Sequence, residues 1–402
     1  MSSPFLQTVR AYQKLDYDDL LLFLKVRSLP TTGSIPELAS RLANHDLHTY
    51  HFPNAAATQQ SVTVLPGKQK KVPDLPMELL VAIMVHVGDW ELATAVGIHT
   101  TLPRPLEWVR ASKTDWALIQ GSLSRIRATN IFPHFPTKVG ASVAIRFGYV
   151  HVLEYFLSQH HSIFRSIFNG GDLIPIKASR HGRTAVLNWW KHGVEKHPAL
   201  IPPPSPDSIA EAINGASRNG QVVSLDWWLT TSGLPFHYTE AALEAASAKN
   251  QIAVLDWWKK QHEQRNLPLK VGRVMDMASM AGHIKALEWW ATSQIELKHD
   301  RSALHHACSH GRVDVLDWWL GSGLQLYYDQ EALTTATRHN RPQVLEWWDK
   351  SGLPMQYRVC DIEEALEDAI DGGEGAREWW RQKGVDFNAN DKEWMKLRSL
   401  QR

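Results

Sequence analysis

Apolar positions in the last two thirds of the chain recur in a frame of about 30 residues, and adjacent tryptophans mark each copy. The pairs lie at 189–190, 227–228, 257–258, 289–290, 318–319, 347–348 and 379–380. The steps between them are 38, 30, 32, 29, 29 and 32 residues, a period typical of stacked supersecondary units. An eighth, degenerate copy has Tyr155 and Phe156 in place of the tryptophans. The repeats therefore extend from about residue 138 to 402.

Each unit contains two short apolar segments separated by a Gly or an Asn. In the segment 302–308, apolar residues at helical spacing define one face, and Gly311 follows where a left-handed helix end costs least. The second segment, 313–320, ends at Gly321 and Gly323. Small alanines in the first segment allow neighbouring repeats to approach closely. The pattern predicts an all-α solenoid of about eight helix-pair repeats.

The tryptophan pairs could line a ligand groove or pack between repeats. Adjacent residues of a helix point about 100° apart, so the two indoles of a pair cannot share one pocket. A buried pair would remove roughly 400 Å² from water, up to about 10 kcal/mol as an upper bound. We therefore predict that the pairs pack in the core, with Trp318 and Trp319 each contributing several kcal/mol, by analogy with core Trp truncations of about 3–5 kcal/mol.

The unit SALHHACSHGRVDVLDWWLGSGL, residues 302–324, resembles the ankyrin repeat. Its first helix matches the family's TPLHLAA segment and its second matches the G-H-x-x-V-V-x-x-L-L frame, although Trp-Trp replaces Leu-Leu. The segment GVDFNANDKEW, residues 384–394, resembles the ankyrin turn. Most units lack the family's Thr-Pro start. The resemblance implies a surface that holds another protein.

The resemblance also implies where a target would bind, because turns and first helices line one concave side of ankyrin-like stacks. Residues at these turn tips differ between units, and Tyr and Arg are favoured interface anchors. The tyrosines could instead pack turn against turn. The candidate target-binding residues are Phe236, His237, Tyr238, Gln325, Tyr327, Tyr328, Gln356, Tyr357 and Arg358.

Residues 15–44 form two helical patterns around a Leu-Pro-Thr-Thr-Gly-Ser turn. They resemble the SAP motif, a small helix-turn-helix-like module that often binds DNA in its family. The chain has Ser28 and Ile35 where the family commonly has Gly and a basic residue, and four acidic residues oppose the positive charge that phosphate contacts need. The candidate DNA-binding residues that the resemblance implies are Lys25, Arg27, Thr32, Ser34 and Arg41.

A polar linker, residues 53–73, separates this motif from the segment VPDLPMELLVAIMVHVGDWELATAVGI. In that segment the apolar residues form a helical stripe. It resembles the F-box, whose L-P-x-E-L-L-x-x-I core inserts into the adaptor subunit of cullin-RING ubiquitin ligases. The alternative is an amphipathic helix that caps the open end of the repeats. The adaptor-binding residues that the resemblance implies are Leu75, Pro76, Glu78, Leu79, Leu80 and Ile83.

Composition narrows the classes of function without choosing among them. The 43 Lys+Arg nearly cancel the 42 Asp+Glu, so no global basic field draws the chain onto nucleic acid or membrane. The two cysteines, Cys308 and Cys360, lack Cys-x-x-Cys spacing and predict free thiols in a reducing compartment. No signal-peptide pattern and no stretch of about 18 uninterrupted apolar residues is present. We expect a cytoplasmic and/or nuclear protein with no membrane partner.

One histidine and cysteine cluster has the residue types of a metal site. His305, His306, Cys308 and His310 lie close together in sequence. The spacing argues against metal binding, since His305 and His306 diverge around the helix, and the ankyrin resemblance gives His305 a structural hydrogen-bonding role. The sequence has no phosphate-cradling Gly loop, G-x-S-x-G elbow or H-E-x-x-H segment. We predict no catalytic residue, cofactor, metal or small-molecule substrate.

These patterns predict four regions: a SAP-like motif at 1–52, a linker at 53–73, an F-box-like or capping region at 74–137 and the solenoid at 138–402. The function we expect is that of a non-catalytic scaffold. Its specific form would be an F-box-type substrate-recognition subunit of a ubiquitin ligase that holds its target on the repeats. The alternative is a nuclear DNA- or chromatin-associated scaffold that uses the SAP-like motif.

Overall fold

A computed structural model describes residues 29–49, 77–170, 172–385, 387 and 395–400, together with positions 9, 10, 12, 13, 17, 20, 21 and 24. The chain divides into two compact units, Met1–Gly88 and Asp89–Arg402. Among the described residues, no helix combines the length and the apolar character that crossing a bilayer requires.

The first unit contains the helices α1, Ile35–Thr49, and α2, Met77–Val87. Four leucines on both sides of the turn at 30–34 form one buried cluster. This is the apolar pairing that the two helical patterns predict, because leucines spaced three or four residues apart share one face of a helix. The buried leucines are Leu20, Leu24, Leu38 and Leu42.

The second unit begins with a small cap. It contains α3, Trp90–Ala95, the 3-10 turn Leu106–Arg110, α4, Lys113–Ile119, and α5, Leu123–Ala128. Three tryptophans lock these pieces together, with ring centroids 5.4–5.7 Å apart. They are Trp90, Trp108 and Trp116, and they pack with Val143 of the following repeat.

Eight helix pairs follow in the described part of the chain, and their bounds follow the period of the tryptophan pairs. The first helices are α6 Lys138–Arg146, α9 Leu173–Arg180, α11 Pro206–Arg218, α13 Ala241–Ala248, α15 Val274–Ala281, α17 Ser302–Ser309, α19 Glu331–Arg338 and α21 Val359–Glu367. The second helices are α7 Val150–Gln159, α10 Thr184–Lys196, α12 Val222–Thr230, α14 Ile252–Arg265, α16 Ile284–Thr292, α18 Val313–Gly321, α20 Pro342–Lys350 and α22 Glu374–Gln382.

Short elements interrupt this series at two places. A short helix, α8 His161–Ile163, and a π-helical turn, Phe164–Phe168, follow α7, and a 3-10 turn, Ile370–Gly373, separates α21 from α22. Two short strands, β1 Gln356–Tyr357 and β2 Arg398–Ser399, pair antiparallel.

The helices stack in two rows. Each first helix packs on the first helix of the next pair, and each second helix packs on the next second helix. Gly311 adopts a φ of 69°, and Asn250 and Asn340 adopt φ values of 54° and 51° at the equivalent break. Gly and Asn are residue types that tolerate this left-handed region. The predicted all-α helix-pair solenoid is confirmed. One further pair, α4 and α5, stacks before it and carries no tryptophan pair.

The tryptophan pairs lie in the core, as the sequence predicts. The second member of every pair is at most 1% exposed. The first members vary, with Trp227, Trp257, Trp347 and Trp379 only 5–9% exposed and the others half-buried. The two rings of a pair meet edge to face at 4.8–5.3 Å in most units.

Candidate functional site

In six of the seven tryptophan pairs, the second tryptophan joins its unit to the preceding one. Its indole N–H donates to a side chain on the preceding first helix, always three residues before the Gly or Asn break. We call this series the inner ladder. Its bonds run from Trp228 to Ser179 (2.7 Å), Trp258 to Ser217 (3.2 Å), Trp290 to Ser247 (2.8 Å), Trp319 to Ser279 (2.9 Å), Trp348 to Cys308 (3.3 Å) and Trp380 to Thr337 (3.0 Å).

In six of the seven pairs, the first tryptophan makes a second connection closer to the surface. Its N–H donates to the side chain that stands just before the tryptophan pair, or its aromatic substitute, in the preceding unit. We call this series the outer ladder. Its bonds run from Trp189 to Glu154 (2.6 Å), Trp227 to Asn188 (2.6 Å), Trp257 to Asp226 (2.6 Å), Trp289 to Asp256 (2.7 Å), Trp347 to Asp317 (2.6 Å) and Trp379 to Glu346 (2.9 Å).

Trp190 shows what happens where the inner acceptor is missing. The position three residues before Gly148 holds Ile145, which has no polar side-chain atom. The buried indole nitrogen of Trp190 accordingly has no hydrogen-bond partner. The unit that departs from the tryptophan frame thus also lacks the acceptor that the frame requires.

Twelve of the fourteen paired tryptophans bond within the array, and the turns and first helices form a separate side of it. Clefts between successive units open there, each lined by turn and first-helix residues. The predicted target-binding residues all lie in turns of this side. Their exposure decides which of them a partner could reach.

Two of the predicted tyrosines are packing residues. Tyr238 is 5% exposed with its ring centroid 4.6 Å from that of Trp258, and Tyr357 is 7% exposed at 4.8 Å from Trp380. The turn backbone alternates inward and outward, and these rings point inward onto the second tryptophan of their own unit. Their burial corrects the prediction that Tyr238 and Tyr357 offer their rings to a target.

The other predicted residues divide by exposure. His237, Gln325, Tyr327 and Gln356 are exposed, whereas Phe236 and Tyr328 are half-buried against tryptophans. Arg358 is half-buried and its Nε lies 3.0 Å from Asp361 Oδ2. The chain itself also occupies the segment Gln356–Arg358. Strand β1 pairs there with β2, and the Leu400 N–H donates to the Met355 carbonyl at 2.9 Å.

Charge changes along the turn and first-helix side. A cleft of about 760 Å³ over α9, α11 and α13 is mainly basic. Arg180 pairs there with Glu211 at 2.6 Å. The lining cations are Lys177, Arg180, Arg218 and Lys249, against Asp207 and Glu211, and His181 also lines the cleft. Burial lowers the pKa of His181 to about 4, and the nearby cations Arg146, Lys177, Arg183 and Arg180 act in the same direction.

The opposite end of the same side is acidic. The cleft between the turns before α19 and α21 measures about 730 Å³. Its charged lining consists of Asp329, Glu331, Asp361 and Glu364, against Arg301 and Arg338. A partner that follows this side of the array would therefore meet opposite charges at its two ends.

The histidine and cysteine cluster is explained by packing between units. The His305 Nε2 lies 3.0 Å from Asp329 Oδ1, and Arg301 lies 2.5 Å from the other oxygen of Asp329. Cys308 is buried, accepts from Trp348, and burial raises the pKa of its thiol to about 12. His305, Asp329 and Glu331 do bring three potential metal ligands within 4.8 Å of one another. Their mutual contacts and Arg301 already account for their positions.

The predicted DNA-binding residues of the first unit are only partly described. Lys25 and Arg27 lie outside the described residues. Thr32 is exposed, but its carbonyl and that of Pro30 accept from the Arg41 guanidinium. The Ser34 hydroxyl donates to Glu37 Oε2 at 3.0 Å, and hydrogen bonds from Ser34 lower the pKa of Glu37. The Arg41 guanidinium and the Ser34 hydroxyl thus already bond within the turn.

The predicted adaptor-binding residues converge on α2. Leu75 and Pro76 lie outside the described residues, as does the side chain of Glu78. Leu79 and Ile83 are 51% and 46% exposed, Val87 one turn further on is 52% exposed, and Leu80 is half-buried. Residues four apart share one helix face. The described part of α2 therefore presents an apolar stripe, Leu79–Ile83–Val87, to solvent.

Comparison with known proteins supports the repeat assignment. The family described as ankyrin repeats (many copies) matches residues 304–347, which span α17, α18 and most of the next pair. A search of curated proteins gave no match to the chain. Ankyrin repeats are characteristic of protein-interaction scaffolds rather than of catalysts. The second unit is therefore a helical repeat solenoid with an ankyrin-like stretch at residues 304–347, and ankyrin repeats indicate a protein-interaction scaffold.

Proposed function

We propose that the chain is a substrate-recognition subunit of a cullin-RING ubiquitin ligase. In this proposal α2 docks the ligase adaptor and the ankyrin-like solenoid holds the target protein. The chain itself would transfer no ubiquitin. The observation that carries the proposal is the exposed stripe Leu79–Ile83–Val87 on a helix whose sequence resembles the F-box core.

An exposed apolar stripe on a short helix is a common recognition element. Such a helix buries its i, i+4, i+8 side chains in a partner's groove, which removes them from water. In α2 the three stripe residues are each about half exposed. They stand one turn apart, which suits insertion into an apolar groove of another subunit.

The array supports the other half of the proposal. Twelve of its fourteen paired tryptophans are engaged in the two ladders, whereas the turns and first helices carry the open clefts that a target could enter. The basic cleft over α9–α13 and the acidic cleft near α21 favour a target that carries acidic groups at one end and basic groups at the other.

The DNA-associated alternative has less support. The described candidates Arg41 and Ser34 already bond to the turn backbone and to Glu37. Phosphate contacts require surplus positive charge, and the first unit offsets its cations with acidic residues. Salt-sensitive binding to a duplex in a mobility-shift assay at physiological salt would favour this alternative over the ligase role.

Adaptor capture by the full chain tests the ligase role. We compare the unaltered chain with Leu79→Asp and Ile83→Asp, which place a charge on the stripe, and with Val85→Asp as a matched control. Val85 is 41% exposed on the same helix but points about 160° away from Ile83. We expect purified adaptor to bind the unaltered chain and the Val85→Asp variant. We expect it not to bind the Leu79→Asp and Ile83→Asp variants.

Thermal melting of the three variants shows whether each still folds. If the unaltered chain fails to bind the adaptor, the ligase role has no basis. Equal capture by the Ile83→Asp and Val85→Asp variants would remove the stripe from the docking surface.

A further inference from the structure

A cleft of about 1060 Å³ lies between the turns 267–273 and 293–300. It is the widest of the clefts described on this side of the solenoid. We call it the Asp276 cleft, after the residue of α15 in its lining. Its other charged or titratable residues are the acidic Glu240, Glu263, Glu296 and Asp300, the cations Lys259, Lys270, Arg273 and Lys298, and the histidines His262 and His299.

Asp276 occupies a position that joins units elsewhere in the array. In three other first helices, the residue six before the break carries a side chain that reaches the next turn. Asn214 Nδ2 donates to Thr239 Oγ1 at 2.7 Å. Glu244 accepts from the backbone N–H of Arg273 at 2.8 Å. His305 forms a hydrogen bond with Asp329 at 3.0 Å. Asp276 makes no such contact. It is 3% exposed, and its Oδ1 has no hydrogen-bond partner.

A second unpartnered atom belongs to His299, which also lines the cleft. The Nε2 of His299 lies 2.9 Å from the Gln325 carbonyl. A carbonyl can only accept, so Nε2 carries the proton and Nδ1 of the neutral ring is an acceptor. That Nδ1 is buried without a partner. The ring is held by Trp319 and Tyr327, with centroids 5.1 and 5.4 Å away.

Two buried acceptors in the lining, Asp276 Oδ1 and His299 Nδ1, therefore lack a donor, although Arg273 and Lys298 also line the cleft. Burial raises the pKa of Asp276 to about 6, the Asp300 carboxylate and Glu244 act in the same direction, and Arg273 and His299 oppose them. Lys270 does not supply the donor, because its ammonium bonds the Tyr238 carbonyl at 2.7 Å. Buried acceptors without donors are costly, and a donor brought from outside the chain would remove that cost.

We propose that the Asp276 cleft receives a cationic N–H donor, the ammonium or guanidinium at the end of a lysine or arginine side chain of a protein partner. Asp276 Oδ1 and His299 Nδ1 would accept from it, and Asp300 would add negative charge at the mouth. A single metal ion fits less well. Among the described residues, the three ligand atoms that converge within 4.8 Å belong to His305, Asp329 and Glu331.

This inference rests on the solenoid's role in holding protein partners and is independent of adaptor docking by α2. The two can fail separately. Adaptor capture should be the same for the Asp276→Asn variant and for the unaltered chain, whatever the cleft binds.

Peptide titration of the full chain tests the proposal. The probes are the capped tripeptides Gly-Arg-Gly and Gly-Lys-Gly, with Gly-citrulline-Gly as a neutral match for arginine. The readout at pH 7.5 is the pair of ring ¹⁵N shifts of His299, identified by their loss in His299→Gln. We expect a saturable shift with at least one cationic peptide and none with citrulline. Asp276→Asn should weaken binding about tenfold, the scale of one charged hydrogen bond.

Asp329→Asn is the matched control. Asp329 lies in the next turn at the position equivalent to Asp300, but it already bonds Arg301 and His305. We expect this variant to bind the cationic peptides as the unaltered chain does. The proposal is overturned by equal binding of citrulline, by no saturable shift, or by unchanged affinity of Asp276→Asn. An imidazolium signal from His299 at pH 7.5 before any peptide is added would also overturn it, because a shared proton would then satisfy both atoms.

Discussion

The inner and outer ladders join the same helix pairs but lie in different surroundings. Trp319 is 1% exposed and donates to Ser279, which is fully buried. Trp347 is 9% exposed and donates to Asp317, whose carboxylate is exposed to water. The inner acceptors are hydroxyls and one thiol, whereas the outer acceptors are carboxylates and one amide.

The difference follows from the cost of burying charge. An ionised carboxylate at an inner position would lose its hydration with one neutral donor as compensation, which is strongly unfavourable. A neutral hydroxyl satisfies the indole without that cost. At the surface, water screens the carboxylate, so the charge is tolerated and its bond contributes little. The inner ladder should therefore hold the units together, with the outer ladder adding little.

The largest effect should come from removing an inner ring. Trp319→Ala should lower the free energy of unfolding by about 3–5 kcal/mol, since it leaves a cavity between units. Trp318→Ala, at a half-buried position, should cost about 1–3 kcal/mol. Denaturant unfolding of both variants measures the difference. Equal losses of unfolding free energy in the two variants would mean that both members of a pair contribute equally to stability.

Removing an inner acceptor should cost less. Ser279→Ala leaves the buried Trp319 N–H without a partner, which should lower the free energy of unfolding by about 1–3 kcal/mol. Ser309→Ala is the control, because that hydroxyl bonds the His306 carbonyl of its own helix. The control should change stability by less than about 0.5 kcal/mol. A loss as small as the control's would show that the inner bond contributes nothing.

Asp276 extends the comparison to a buried carboxyl without a donor. Its pKa is raised to about 6 from an ordinary value of 3.8, so the folded state binds the proton more tightly than the unfolded state. Ionisation thus destabilises the fold increasingly from about pH 4 to 6 and fully above. Asp276→Asn should raise the free energy of unfolding on the order of 1–3 kcal/mol at pH 8, and by about half as much at pH 5. A gain independent of pH would contradict the raised pKa.

The smallest effect belongs to the outer ladder. Asp317→Ala removes the acceptor of Trp347 but leaves the indole edge near solvent. It should lower the free energy of unfolding by less than about 1 kcal/mol. Urea unfolding at low salt measures this change. A loss matching that of Ser279→Ala would erase the distinction between the ladders.

The sequence predicts the repeat frame because the tryptophan pairs recur at a regular spacing, within similar neighbouring residues. It does not name the partners of the indoles, yet a signal exists. The residue three before each break and the residue before each pair are polar in the units that form ladders. Ile145 breaks the first pattern, and Trp190 is left without an acceptor. Both ladders could have been read from spacing once the helix pairs were fixed.

Other features depend on tertiary packing that spacing alone does not reveal. The pair α4–α5 has no tryptophan pair, so no period marks it. Tyr238 and Tyr357 point inward because successive turn residues alternate sides. Each ring contacts the second tryptophan of the pair in its own unit. The Asp276 cleft arises because an aspartate stands where neighbouring units have side chains that meet a partner across the junction.

A pair of double-mutant cycles tests the central claim, that the inner ladder fastens the units, most directly. One cycle combines Ser279→Ala with Trp319→Phe, and the other combines Asp317→Ala with Trp347→Phe. Since coupled neighbours reveal their interaction as non-additivity, we predict a coupling of about 1 kcal/mol or more for the inner pair and below about 0.5 kcal/mol for the outer pair. Additive losses in the inner cycle, or a larger coupling in the outer cycle, would contradict the claim.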